Sequence, residues 1–83
     1  MQVLDLKIGD TVTITGFQPG ANQYRKRLLA MGLTPGTPFR VLRIAPFGDP
    51  IAILVRGVML SLRKVEANIL KINLAIDNTT ITN

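Results

Sequence analysis

The chain has 83 residues, neither cysteine nor histidine, ten basic against five acidic residues for a net charge of +5, and 47% apolar content. That inventory describes one small domain without disulfide support, and it excludes thiolate nucleophiles, imidazole bases and the softer metal centres. The longest unbroken apolar run, near Ile51–Val55, is far short of the ~20 residues a membrane-spanning helix needs.

In chain order, Asp5 and Asp10 interrupt an N-terminus with neither a basic start nor a sustained apolar run, so no secretory leader is expected. Leu6 to Asp10 reads as a lead-in loop. Val12 and Ile14 alternate with Thr11, Thr13 and Thr15, which predicts a half-buried strand ending at Gly16, and Pro19-Gly20 turns the chain onward. Tyr24 to Met31 is composed mainly of good helix formers. Gly32 stands where a left-handed C-terminal cap is wanted, and Leu33 can fold back as its hydrophobic contact. Pro35-Gly36 then supplies the residue pair of a type II turn. On a helical projection Tyr24, Leu28 and Met31 share one side, while Leu29 lies about 100° from Leu28. The apolar surface is therefore wider than one seam. Leu28 can be read either as core or as an exposed anchor ringed by Arg25, Lys26 and Arg27.

Phe39 to Ala45 is rich in strand formers with arginines on both faces, and the expected core residues are Leu42 and Ile44, with Val41 shared. Pro46 to Pro50 is dense in turn residues and should join antiparallel strands, the second being Ile51 to Arg56 with Ile51, Ile53 and Val55 on one face. Arg56-Gly57 is a tight turn or bulge. Val58, Leu60 and Leu62 alternate with Met59, Ser61 and Arg63, Lys64 to Asn68 forms one helical turn, and Ile69 to Leu74 is a last strand with Leu70 and Ile72 inward. Residues 75–83 are polar, lack a core pattern and are expected to fray. The fold class predicted is mainly β: about five antiparallel strands with one inserted helix, in a single domain over residues 1–74.

Chemistry finds little footing. Ser61 is the sole serine and sits within a strand pattern, and the acids Asp5, Asp10, Asp49, Glu66 and Asp77 are dispersed without ligand spacing. Neither a phosphate-binding loop nor a dinucleotide fingerprint is present. No catalytic residue, metal site or cofactor is predicted. The positive charge is scattered, and the four aromatics Phe17, Tyr24, Phe39 and Phe47 are few for stacking bases, so nucleic acid is not the expected partner.

Three segments in register, RLLAMGLTPG (Arg27–Gly36), APFGDPI (Ala45–Ile51) and VRGVMLSLRKVEA (Val55–Ala67), resemble the FeoA family of ferrous iron transport proteins over roughly residues 3–74. The resemblance implies a small SH3-like barrel that acts by contact on a FeoB-type membrane GTPase transporter. It would be cytoplasmic, held at the inner membrane through that partner. Carried onto this chain, the candidate contact residues are Tyr24, Arg27, Leu28, Met31, Gly32, Leu33, Pro35 and Gly36, with Gly48, Asp49 and Pro50 as a secondary loop. Self-association stays open. Two rival readings keep the fold: a regulatory module related to iron-dependent repressors, and an RNA-binding small barrel.

Overall fold

A computed structural model describes residues 2–20 and 22–74, so the expected fraying of residues 75–83 lies outside the described residues. The alternating threonine pattern forms strand β1 (Thr11–Phe17), followed by helix α1 (Asn22–Ala30), then β2 (Pro38–Ile44), β3 (Ile51–Val55), β4 (Val58–Leu62), the single turn α2 (Lys64–Ala67) and β5 (Leu70–Leu74). The strands make one antiparallel sheet in the order β4-β3-β2-β1-β5. Mainly β, with five antiparallel strands and an inserted helix, is the architecture expected from the sequence.

Strand parity selects the core. Val12 and Ile14 of β1, Ile51, Ile53 and Val55 of β3, and Leu70 and Ile72 of β5 are all buried, each set spaced by two residues. The lead-in segment contributes more than its loop-like sequence suggested. A 3-10 turn at Val3–Asp5 places Val3 and Leu6 in the same core, and Asp5 and Asp10 tie it down by accepting from the N–H groups of Gln2 (3.1 Å) and Lys7 (2.8 Å).

Strand β2 departs from expectation. Phe39 and Val41 are the fully buried residues, Ile44 is half-buried against the core, and Leu42 is not a core residue. The reason is a register shift against β3 between Val41 and Arg43, where Val41 pairs with Ile53 and Arg43 with the adjacent Ala52. An extra residue on one strand reverses the alternation, so Val41 and Ile44 can both face inward while Leu42 occupies the bulge. A similar shift in β1 between Ile14 and Gly16 lets Phe17 pack against the core after Ile14. In β4 only Leu62 is fully buried, Leu60 is half-buried and Val58 is exposed. Arg56-Gly57 resolves as a two-residue turn with φ 50° and 81°, the paired positive values of a type I′ hairpin.

Candidate partner-binding site

The end of α1 is built as the sequence asks. The Gly32 N–H donates to the Leu29 carbonyl (3.0 Å) and the Leu33 N–H to the Leu28 carbonyl (3.0 Å), with Gly32 at φ 89°, which is a Schellman cap. The Thr37 N–H then donates to the Thr34 carbonyl (3.0 Å) with Gly36 at φ 91°, closing the turn through Pro35-Gly36. Gly36 also donates to Ile14 (2.7 Å) and Ile14 to Thr37 (2.9 Å), so the turn is stitched to β1.

This geometry divides the predicted contact residues. Leu28 and Leu33 are fully buried and are removed from any contact surface of the folded domain. The cap itself is the physical cause, because its apolar contact joins these two leucines. Leu29, offset by about 100° from Leu28, reaches the surface, at 37% exposure, beside a groove it lines with Asn22, Arg25 and Lys26. Tyr24, Met31 and Gly32 are half-buried, while Arg27, Pro35 and Gly36 are exposed. Arg25 is itself held, its guanidinium 5.7 Å from the centre of the Phe17 ring.

Two connections extend the surface beyond the helix. The Thr34 and Thr37 hydroxyls lie 2.9 Å apart, and the Arg56 guanidinium donates to the Thr37 hydroxyl (3.2 Å), joining the Pro35-Gly36 turn to the tip of the β3–β4 hairpin. On the other side, Arg27 forms an ion pair with Glu66 (Nε to Oε2, 3.0 Å), whose second oxygen accepts from the Arg63 N–H (2.9 Å). The Glu66 side chain is 3% exposed and that of Arg27 is 63% exposed. Next to this pair opens a shallow cleft of about 500 Å3 lined by Arg27, Asp49, Pro50, Ser61, Arg63 and Glu66. Asp49 is fixed there by accepting from the Lys64 N–H (3.0 Å). Of the expected residues, Arg27 from the helix and Asp49 and Pro50 from the loop, far apart in sequence, line this one cleft. The same 46–50 loop carries Phe47, 94% exposed.

Glu66, Arg63 and Ser61 were not among the expected site residues. Glu66 carried a usable signal, since a carboxylate three residues after Arg63, in a turn with buried neighbours, can bond back to that backbone N–H as in a capping box. Among the described residues no three acidic side chains gather as a metal cluster, and every buried side-chain polar atom has a partner. In the cleft that Ser61 also lines, Asp49 accepts from the Lys64 N–H, and Glu66 accepts from the Arg63 N–H and pairs with Arg27.

Five antiparallel strands in one sheet with an inserted helix define a small SH3-like domain. The FeoA domain matches residues 1–74, and the chain belongs to the FeoA family, which is linked to ferrous iron transport. A curated relative from Porphyromonas gingivalis, an Fe(2+) transport protein A/Fe(2+) transporter FeoB fusion protein, is 31% identical over 80 residues, covering 96% of this chain. The chain spans 9% of that relative's length. Among solved structures, a FeoA-like protein from Clostridium acetobutylicum superposes with a TM-score of 0.83 at 32% identity, over 93% of this chain and 88% of that one. The zinc complex of Stenotrophomonas maltophilia FeoA, described as a prokaryotic SH3 domain protein, gives a TM-score of 0.75 over 88% of this chain and 89% of that one. At 21% identity, that likeness is one of fold.

Proposed function

We propose that this protein is a non-enzymatic accessory of ferrous iron uptake that docks on the cytoplasmic side of a FeoB-type membrane GTPase. The observation that carries the reading is the fusion relative, in which a segment similar to nearly all of this chain shares one polypeptide with a FeoB transporter. Covalent linkage gives two modules a millimolar-scale effective concentration for each other. The same complex formed without covalent linkage depends on surface affinity alone.

The surface suited to that task is the exposed remainder of the helix–turn segment, Arg27, Leu29, Pro35 and Gly36, continued by the loop of Phe47, Asp49 and Pro50. It combines apolar anchors with cations on a backbone fixed by cap, turn and ion pair, so little ordering entropy is lost on docking. Co-purification of a detergent-solubilised FeoB-type transporter, with and without guanine nucleotide, tests the reading. The parent protein is expected to be retained. Leu29→Glu and Phe47→Ser are each expected to stay folded and to weaken retention by about tenfold or more, equivalent to ~1.4 kcal/mol. Absence of retention under both nucleotide conditions overturns the transporter as partner, and undiminished retention of both variants overturns the surface.

A further inference from the structure

We propose that the outer edge of β4 receives an extended, apolar segment of a partner protein flanked by carboxylates, by strand addition to the sheet. Strand order leaves β4 outermost, paired on one side with β3 and on the other with no described strand. Because Val55 and Val58 flank a two-residue turn, they form a hydrogen-bonded pair, and alternation extends that to Ile53 with Leu60 and Ile51 with Leu62. The N–H and C=O groups of Met59 and Ser61 therefore point away from β3. Four backbone groups stand ready along the edge for an incoming strand.

Sheet edges are usually blunted, and the two edges of this sheet differ in that respect. β5 carries Lys71 and pairs with β1 across a register shift. β4 reads Val-Met-Leu-Ser-Leu, with no charge and no proline, and its register with β3 runs unbroken over five residue pairs. It lacks the charge, bulge or proline that discourages pairing. Val58 and Met59, 57% and 65% exposed, supply apolar neighbours for the side chains of an added strand.

Charge selects the occupant. Arg56 stands just before β4, and Arg63 and Lys64 just after it, while the cleft at its far end adds Arg27 beside Ser61. The carboxylates in that cleft, Asp49 and Glu66, already accept from Lys64, Arg63 and Arg27. A second copy pairing antiparallel through β4 would set the Arg56 of one copy opposite the Lys64 of the other, a like-charge contact. A segment of five or six residues with carboxylates at both ends meets opposite charge at each end of the edge instead.

The probe is a synthetic peptide of six alternating valines and threonines with two aspartates at each end, compared with its lysine-ended counterpart, and the readout is amide hydrogen exchange by NMR. At ~1 mM the aspartate-ended peptide is expected to slow exchange at Met59 and Ser61 by about tenfold, as mass action gives for a dissociation constant near 0.1 mM. Exchange at Leu60, whose amide faces β3, should change less, and the lysine-ended peptide should have no effect. Ser61→Pro removes an outward donor and should abolish protection at Met59. Arg56→Glu with Lys64→Glu should transfer the preference to the lysine-ended peptide, independently of any effect of the proline. No slowing at ~1 mM, equal slowing by both peptides, or protection that grows with protein concentration in the absence of peptide each overturns the proposal. The inference does not depend on the transporter reading, because the peptide assay contains no transporter and the co-purification does not probe Met59 or Ser61.

Discussion

The segment from Leu28 to Thr37 and the hairpin from Ile51 to Leu62 are similar in length and opposite in construction. In the first, the backbone is irregular, two glycines hold positive φ, and the leucines at its cap are buried. In the second, the backbone is a regular ladder, yet Leu54, Val58 and Met59 remain at the surface. Irregular backbone has to be over-determined by side-chain packing to persist, whereas a ladder supports itself and leaves side chains available. The buried Leu28 and Leu33 at the cap consequently report on folding, whereas the exposed Leu54, Val58 and Met59 of the hairpin are left available for association.

The sharpest way to break this comparison is to exchange adjacent leucines. Leu28→Arg should leave the protein unfolded, since a buried unpaired charge joins the loss of a core side chain, and Leu28→Ala alone should cost ~2–5 kcal/mol. Leu29→Arg should change stability by no more than about 1 kcal/mol. Circular-dichroism melts that show the two arginine variants equally stable would contradict the burial assigned to the cap. A smaller effect is expected at the ion pair, and it should be asymmetric. Glu66→Ala removes a buried acceptor from both Arg27 and the Arg63 N–H and should cost ~1–3 kcal/mol in urea denaturation. Arg27→Ala, on a largely exposed side chain, should cost about 1 kcal/mol or less. Equal losses would mean that Arg27, and not the backbone contact, accounts for the role of Glu66.

Gly32→Ala isolates the backbone contribution to the cap. A Cβ at this glycine meets nothing within 4 Å, so the expected penalty of ~1 kcal/mol comes from φ 89° alone. A larger loss would show that the cap moves when its conformation is strained. The smallest effects belong to the hairpin. Val58→Thr and Met59→Ser should each shift stability by less than ~0.5 kcal/mol, and a melt lowered well beyond that would show these side chains to be structural.

Much of this architecture was readable from local chemistry. Gly32 and Pro35-Gly36 specify their conformations through backbone sterics that need no tertiary information, and the parity of β1, β3 and β5 follows from simple alternation. The face of α1 stayed open in the sequence, with Leu28 readable as core or as anchor, and the cap geometry decides it. A Schellman cap at Gly32 requires Leu33 to meet the residue at Leu28, which turns Leu28 inward and sends Leu29 out. The phase of β2 was not readable, because a bulge at Leu42 changes the inward set without a glycine or proline to mark it. The pairing of Arg27 with Glu66 was hidden for another reason. It joins elements separated by two hairpins, and nothing in the local sequence of either residue encodes the other.

Arg56 leaves one more consequence at the hairpin tip. A branched-at-Cβ or bulky side chain is not required there, and a type I′ turn favours asparagine or glycine, yet this chain holds an arginine at φ 50°. The tip is a point of local frustration, with backbone strain on the order of 1 kcal/mol set against one hydrogen bond to Thr37. Opening should therefore begin at the Val55–Val58 pair and travel toward Ile51–Leu62, where Ile51 and Leu62 are both buried. The hairpin thus has a strained tip at one end and buried Ile51 and Leu62 at the other, and one hydrogen bond from the Arg56 guanidinium joins that tip to the turn that follows the helix.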